Sequence, residues 1–237
     1  MIGAVLAFVP GLAVGSVLNT LASQFPKHEV RLRLRATCRR CGHELGLVES
    51  VALLAYLRRG GRCSRCGAKR SVRYPLLELT MGLLAAACFI HFGFTGRAFV
   101  GTVFCAVLLL LAAIDLERRI LPNAIVLPAA IFILLADILV APHRAAEWAL
   151  SAAASGLGLL ALALLYRGAL GMGDVKLAFM LGAGLGAAVI VAFLVGLVAA
   201  FVGASVILWQ RGVGARKESI PLGPFLALGA IVTLLGS

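Results

Sequence analysis

Long apolar runs alternate with short polar stretches along this chain, and only one polar stretch is long. Ile2 to Leu21 is the first apolar run, with Asn19 and Gln24 at its end. Phe25 to Tyr74 is the long polar segment. Apolar runs resume at Leu76–Phe92, Ala98–Ile114, Ile125–Val140, Trp148–Tyr166, Val175–Gly186, Ala187–Trp209 and Ile220–Leu235. Each reads as a transmembrane helix, so the pattern predicts about eight. Some are short for a roughly 30 Å hydrocarbon core and need tilt or local thinning. Val175 to Trp209 is 35 residues, about 52 Å as straight helix, too long for one span and tight for two. The break is expected near Gly182–Gly186. The first run lacks a charged leader and is followed by basic residues, so it reads as an uncleaved helix rather than a secretory signal. Pro10 and Gly11 mark a kink point in it.

Composition agrees with this reading. The chain is 62% hydrophobic and 14% charged, with a mean hydropathy of +1.04, more apolar surface than a soluble fold can cover. The net charge of +12 raises nucleic acid as a partner, but the distribution argues against it. Thirteen of the 22 Lys and Arg lie between Lys27 and Arg73, against three acids, Glu29, Glu44 and Glu49. That is the pattern of a cytoplasmic loop beside anionic headgroups, with the lipid bilayer rather than nucleic acid as its surroundings. With Phe25–Tyr74 inside, the predicted alternation also puts Glu117-Arg118-Arg119, Arg167 to Lys176 and Arg211 to Glu218 inside. Only Arg97 and Arg144 of the basic residues then fall outside.

The polar segment carries Cys38-x-x-Cys41 and Cys63-x-x-Cys66, separated by 21 residues, with Gly42 and Gly67 after each pair. This spacing predicts a four-cysteine zinc site in a small zinc-ribbon-like insert between the first two membrane helices. Four thiolates leave no open coordination position, so the zinc is read as structural, stapling a domain too small for a full core. A disulfide reading conflicts with a cytoplasmic loop. His43 reads as a surface residue.

Two acids stand out in the apolar half. Asp174 lies in Gly171-Met172-Gly173-Asp174-Val175-Lys176, a glycine-rich turn between long apolar runs, and Asp115 lies in Ile114-Asp115-Leu116-Glu117-Arg118-Arg119. An acid at or inside the edge of a bilayer is costly and usually has a function. The alternation puts both at the cytoplasmic boundary, where two adjacent carboxylates can share a proton and activate a water against a peptide carbonyl. The bland reading stands beside it: Asp115 pairs with Arg118, and Asp174 caps a helix starting at Val175. Gly171 and Gly173 allow a sharp turn and close approach. Lys176 snorkels to headgroups or positions substrate. Glu78 answers an Arg of the basic loop or binds a ligand. Asp137 reads as interfacial near the outer end of its helix, Glu147 as a helix-start charge, Cys88 and Cys105 as small hydrophobes, and Pro122 as a helix start.

Several of these motifs, in this order, resemble one family nearly end to end. They are Gly15-Ser16-Val17-Leu18-Asn19, the two cysteine pairs, Arg73-Tyr74-Pro75-Leu76-Leu77-Glu78, Asp115-Leu116 with Leu121-Pro122, Gly171 to Leu177, and Ile220-Pro221-Leu222-Gly223-Pro224-Phe225-Leu226-Ala227-Leu228-Gly229. The chain is similar to prepilin peptidases, also termed type IV leader peptidases and N-methyltransferases, a group of GxGD aspartyl proteases of the bacterial inner membrane. The resemblance implies that Asp115 and Asp174 cleave the basic leader of type IV prepilins or type II secretion pseudopilins after a glycine, on the cytoplasmic side. It further implies methylation of the new N-terminus from S-adenosylmethionine, tied to the cysteine domain, and gives Glu78 functional weight without a role. The domains on this reading are a first helix (1–24), a four-cysteine domain (25–75) and a seven-helix peptidase (76–237). Departures are Arg39-Arg40 inside the first knuckle, the stretch Glu49 to Tyr56, Asn123 where Asp is common and Leu222 where Phe is common. Several of these changes fall in the methylation-linked region, while the peptidase elements stand intact. The competing readings are a peptidase with a purely structural zinc domain, a non-enzymatic membrane scaffold, and a transporter using the two acids as a proton relay.

Overall fold

A computed structural model of the chain describes residues 2–24, 38, 40–42, 51–69, 71–166, 171–211 and 221–236. The expectations for His43, for Glu29, Glu44 and Glu49, and for the basic residues Arg167, Arg216 and Lys217 lie outside these residues. The described chain is helical. Its only β pairing is an isolated antiparallel bridge between Arg62 and Lys69. The helices are α1 (Ile2–Gln24), α2 (Ala52–Arg59), α3 (Arg73–Phe92), α4 (Gly96–Arg118), α5 (Asn123–Val140), α6 (Ala145–Leu165), α7 (Met172–Leu185), α8 (Val189–Arg211) and α9 (Gly223–Gly236).

Six described stretches are long and apolar enough to cross a membrane: Val5–Ser23, Arg73–Phe92, Gly96–Arg118, Asn123–Val140, Pro142–Leu165 and Met172–Gln210, while Gly223–Gly236 is a shorter apolar helix. The sequence-based count of eight exceeds these six. It counts α7 and α8 separately and includes α9. The 39-residue stretch is indeed interrupted. Gly186 has φ 60, and a 3-10 turn Gly186–Ala188 separates α7 from α8, within the region where the break was expected.

The chain forms two compact units, Met1–Ala98 and Phe99–Ser237. In the first, α1 packs along α3, and α2 packs on α3. The α1–α3 contact is close because glycines line it. A Cβ on Gly11 would lie 2.8 Å from the Ala85 Cβ, and one on Gly15 would lie 2.7 Å from the Glu78 Cα. Gly11-x-x-x-Gly15 is thus a small-residue seam of the kind that brings membrane helices together. Pro10 lies within α1, which runs on through it.

In the second unit α7 is the centre. Val175, Leu177, Ala178 and Met180 to Leu185 are all buried. α6 and α5 pack on it, and α9 packs on α8 and α7. Small residues again set the spacing. Gly182 and Gly156 meet Ser155 and Phe179 across the α6–α7 contact, and Gly184 receives the Phe104 ring of α4. A helix this enclosed needs no apolar surface toward lipid, so its apolar content reflects the protein core.

At the far end of α5, Asp137 is 1% exposed, and Arg144 feels its charge. Arg144 pairs with Glu147 at 2.7 Å, and Glu147 lies in the first turn of α6, as its helix-start reading required. Cys88 and Cys105 are buried as read.

Candidate catalytic aspartates and four-cysteine cluster

The two cysteine pairs, far apart in sequence, converge. The sulfurs of Cys38, Cys41, Cys63 and Cys66 lie within 4.8 Å of one another. Cys38 Sγ is 3.7 Å from Cys66 Sγ, and Cys41 Sγ is 4.0 Å from Cys63 Sγ. A tetrahedral ion with metal–sulfur bonds of about 2.3 Å sets its sulfurs about 3.8 Å apart. The cluster therefore fits one metal ion. Each knuckle closes on a glycine. The Gly42 amide donates to the Cys38 carbonyl at 2.9 Å, and that of Gly67 to the Cys63 carbonyl at 3.0 Å. Both glycines have positive φ, 68 and 67, a conformation that strains other residues. The backbone amides of Cys41 and Arg40 pull the Cys38 thiol down to about 6. At Cys66 the Ala68 amide also acts downward, but desolvation and the neighbouring sulfurs carry the thiol up to about 11. Four crowded sulfurs resist carrying four negative charges together, and a bound cation relieves that resistance.

Among the described residues no Arg pairs with Glu78. It is 0% exposed, and its two oxygens accept the Ala52 amide at 2.9 Å and the Leu53 amide at 2.8 Å. Asn19 Nδ2 approaches Oε1 at 3.4 Å and donates to the Tyr74 carbonyl at 2.9 Å. The residue before α2, Val51, offers no side-chain cap. Glu78 supplies that cap from another helix, satisfying amides that α2 cannot satisfy itself.

Asp115 and Asp174 belong to the same unit, within electrostatic range of each other. Asp115 lies in the last turn of α4, which runs on to Arg118 rather than stopping at Ile114. It is 6% exposed and feels the charge of Asp174 and of Arg119; Arg118, the partner expected from sequence, is not among these neighbours. Asp174 lies in the first turn of α7, which begins at Met172 rather than Val175. Its backbone amide donates to the Gly171 carbonyl at 3.0 Å, and its carboxylate accepts from the Gly171 amide. The capping reading of Asp174 thus holds in an altered form, with the side chain reaching back to the residue that opens the helix. Capping and proximity to Asp115 coexist.

Three further residues complete this region. The Gly223 amide, first in α9, donates to Asp115 Oδ2 at 3.1 Å. A Cβ on Gly223 would stand 2.6 Å from the same oxygen. A Cβ on Gly173 would stand 2.9 Å from the Leu121 Cβ, so that glycine lets the start of α7 approach the segment following α4. Lys176 has a partner within the protein. Its Nζ donates to Asn123 Oδ1 at 2.7 Å, joining α7 to the start of α5, which follows Pro122 as expected. Sequence reasoning missed Gly223 as part of this region. Its signal was the Pro221-Leu222-Gly223-Pro224 cluster opening the last apolar run.

Comparison with known proteins agrees with this geometry. Residues 9–92 match the bacterial peptidase A24 N-terminal domain, and residues 102–208 match the type IV leader peptidase family. The chain is 35% identical over 260 residues to a prepilin leader peptidase/N-methyltransferase of Burkholderia pseudomallei, covering 96% of this chain and 84% of that protein. It is 31% identical over 232 residues to the protein of the same name from Bacillus subtilis, covering 97% and 93%. A Myxococcus xanthus protein of that name is 44% identical over 125 residues, covering 53% of this chain and 37% of that protein. No solved structure matches the chain significantly.

Proposed function

The chain belongs to the type IV leader peptidase family, and on that premise we propose that Asp115 and Asp174 form the aspartyl pair of a membrane peptidase acting on prepilins or pseudopilins. The observation that carries the reading is that buried Asp115 feels the charge of Asp174, 59 residues further along the sequence and in the same unit. One carboxyl keeps a proton while the other accepts one from a water. The resulting hydroxide attacks the scissile carbonyl, the retained proton passes to the leaving amine, and the C–N bond breaks. Acid and base belong to the pair, not to either residue. Gly171 and Gly173 support the turn that presents Asp174, and Lys176 fixes that turn to α5.

A prepilin carries a basic leader outside the bilayer and an apolar helix within it. Cleavage at that junction needs carboxylates at the membrane boundary, reached laterally between helices. The excess of Lys and Arg in the segments assigned inside argues for the cytoplasmic side of a bacterial inner membrane. Eight crossings follow if α7, α8 and α9 each span. Although α7 has only 14 residues, about 21 Å, its enclosure by neighbours frees it from matching the bilayer.

Zinc is the ion the four-cysteine cluster suits best, because four thiolates are its usual structural set and leave no open position for a reacting group. Methylation of the amine freed by cleavage would draw its methyl group from S-adenosylmethionine. On this reading 1–24 is a membrane helix, 25–75 the methylation-linked zinc domain and 76–237 the peptidase.

The test is incubation of the purified chain in detergent with a prepilin and S-adenosylmethionine, followed by substrate mass. Loss of the leader with gain of one methyl is the expected result. A folded protein that cleaves none of several prepilins would overturn the reading.

A further inference from the structure

We propose that α2 is a membrane-surface helix, pinned to the bilayer by Glu78 and set with its leucine face among the acyl chains beside the cysteine cluster. Glu78 is the sixth residue of α3, about 8 Å along its axis, inside a stretch apolar enough to span the membrane. Around it on α3, Leu76 and Leu83 are exposed side chains, the surface such a span gives to lipid. The Ala52 and Leu53 amides are bonded directly to Glu78. The first turn of α2 therefore lies at the level of those leucines, not in the water beyond.

The faces of α2 agree with that position. Ala52 and Ala55 are buried, while Leu54 is 42% and Leu57 76% exposed. At 100° per residue Leu53, Leu54 and Leu57 occupy one side of the helix. In water, two exposed leucines on an eight-residue helix would be an unfavourable use of surface. At the boundary of headgroups and acyl chains they gain burial. α2 and the segment that follows it to the start of α3 carry exposed cations: Arg58, Arg62, Arg65, Lys69 and Arg73. They match the charge of anionic headgroups in the same leaflet. The Glu78 carboxylate is matched in turn by the amide end of α2, where helix dipole and hydrogen bonds favour negative charge.

The full chain, carrying a photo-crosslinking amino acid at Leu57, is reconstituted in vesicles of phosphatidylethanolamine and phosphatidylglycerol. Lipid adducts are read by mass spectrometry. The same amino acid at Leu83 gives the lipid-facing reference, and at Ser64 the water-facing one. An interfacial helix predicts adducts at Leu57 within about twofold of Leu83 and about fivefold above Ser64. A yield at Leu57 equal to that at Ser64 overturns the membrane-surface position. Glu78→Ala is expected to lower the Leu57 yield about threefold while leaving Leu83 unchanged, as loss of an N-terminal cap frays the helix. An unchanged Leu57 yield in that variant overturns the pin. The readout needs no enzymatic activity, so it stands or falls apart from the peptidase reading.

Discussion

Glu78 and Asp115, one from each compact unit, are both taken out of water, and they are bound differently. Both Glu78 oxygens accept backbone amides from the start of α2. Among the described residues Asp115 accepts a hydrogen bond from the first amide of α9, on Oδ2, and it feels the charge of a second carboxylate. Each uses the amide end of a helix to offset burial, by the same dipole and the same unmatched donors. A carboxylate with both oxygens held by backbone is locked into architecture. One that feels the charge of another acid has the means to exchange protons. The difference separates a buried acid that joins elements from one suited to chemistry.

The largest test removes the proton exchange. Asp115→Asn and Asp174→Asn are each expected to lower prepilin cleavage by about 10³-fold or more, measured by substrate mass, with metal content unchanged. Full cleavage by either variant would break the comparison at its catalytic side. Next is Gly223→Ala. Its Cβ must displace Asp115 Oδ2, so cleavage should fall about tenfold to a hundredfold with the helical content of the protein retained, since orientation of a reacting group carries that much.

Glu78→Ala should do the opposite. Cleavage stays within about twofold, while hydrogen exchange at Ala52 and Leu53 speeds up about tenfold, the equivalent of losing one buried cap. A loss of cleavage as deep as that of Asp174→Asn would erase the distinction between the two acids. Cys63→Ser should release the bound metal, read by elemental analysis, with cleavage lowered by no more than about threefold if the cluster is structural. The smallest effect belongs to Lys176→Ala, which removes the bond to Asn123 and should slow cleavage by about two- to fivefold through looser placement of Asp174. Asn123→Asp, which turns that bond into an ion pair, should leave the rate unchanged or slightly raised.

Legibility in the sequence followed the range of each interaction. The apolar runs located the helices because membrane spans are set by length and composition alone. Cysteine spacing forecast a metal cluster because a knuckle is a local turn, and the glycine after each pair announced its positive φ. The Gly11-x-x-x-Gly15 seam was equally local and was passed over in favour of a kink at Pro10. What the sequence left open lies in partners. It offered Glu78 an arginine or a ligand and Lys176 headgroups or substrate, because opposite charge and hydropathy are the only guides before the chain is folded. The structure gave Glu78 two backbone amides and Lys176 an amide oxygen, and it buried Asp137.

By itself, then, the sequence determined that this is a helical membrane protein with a four-cysteine insert and two acids at the ends of apolar runs. Those properties rest on spacing and on transfer energies, which each segment carries alone. Only the tertiary structure decided which groups meet. Gly223 stands against Asp115 across 108 residues of chain, and Glu78 caps a helix 25 residues before it. Backbone amides are identical at every position, so no residue type announces the one that will reach a given carboxylate; packing selects it.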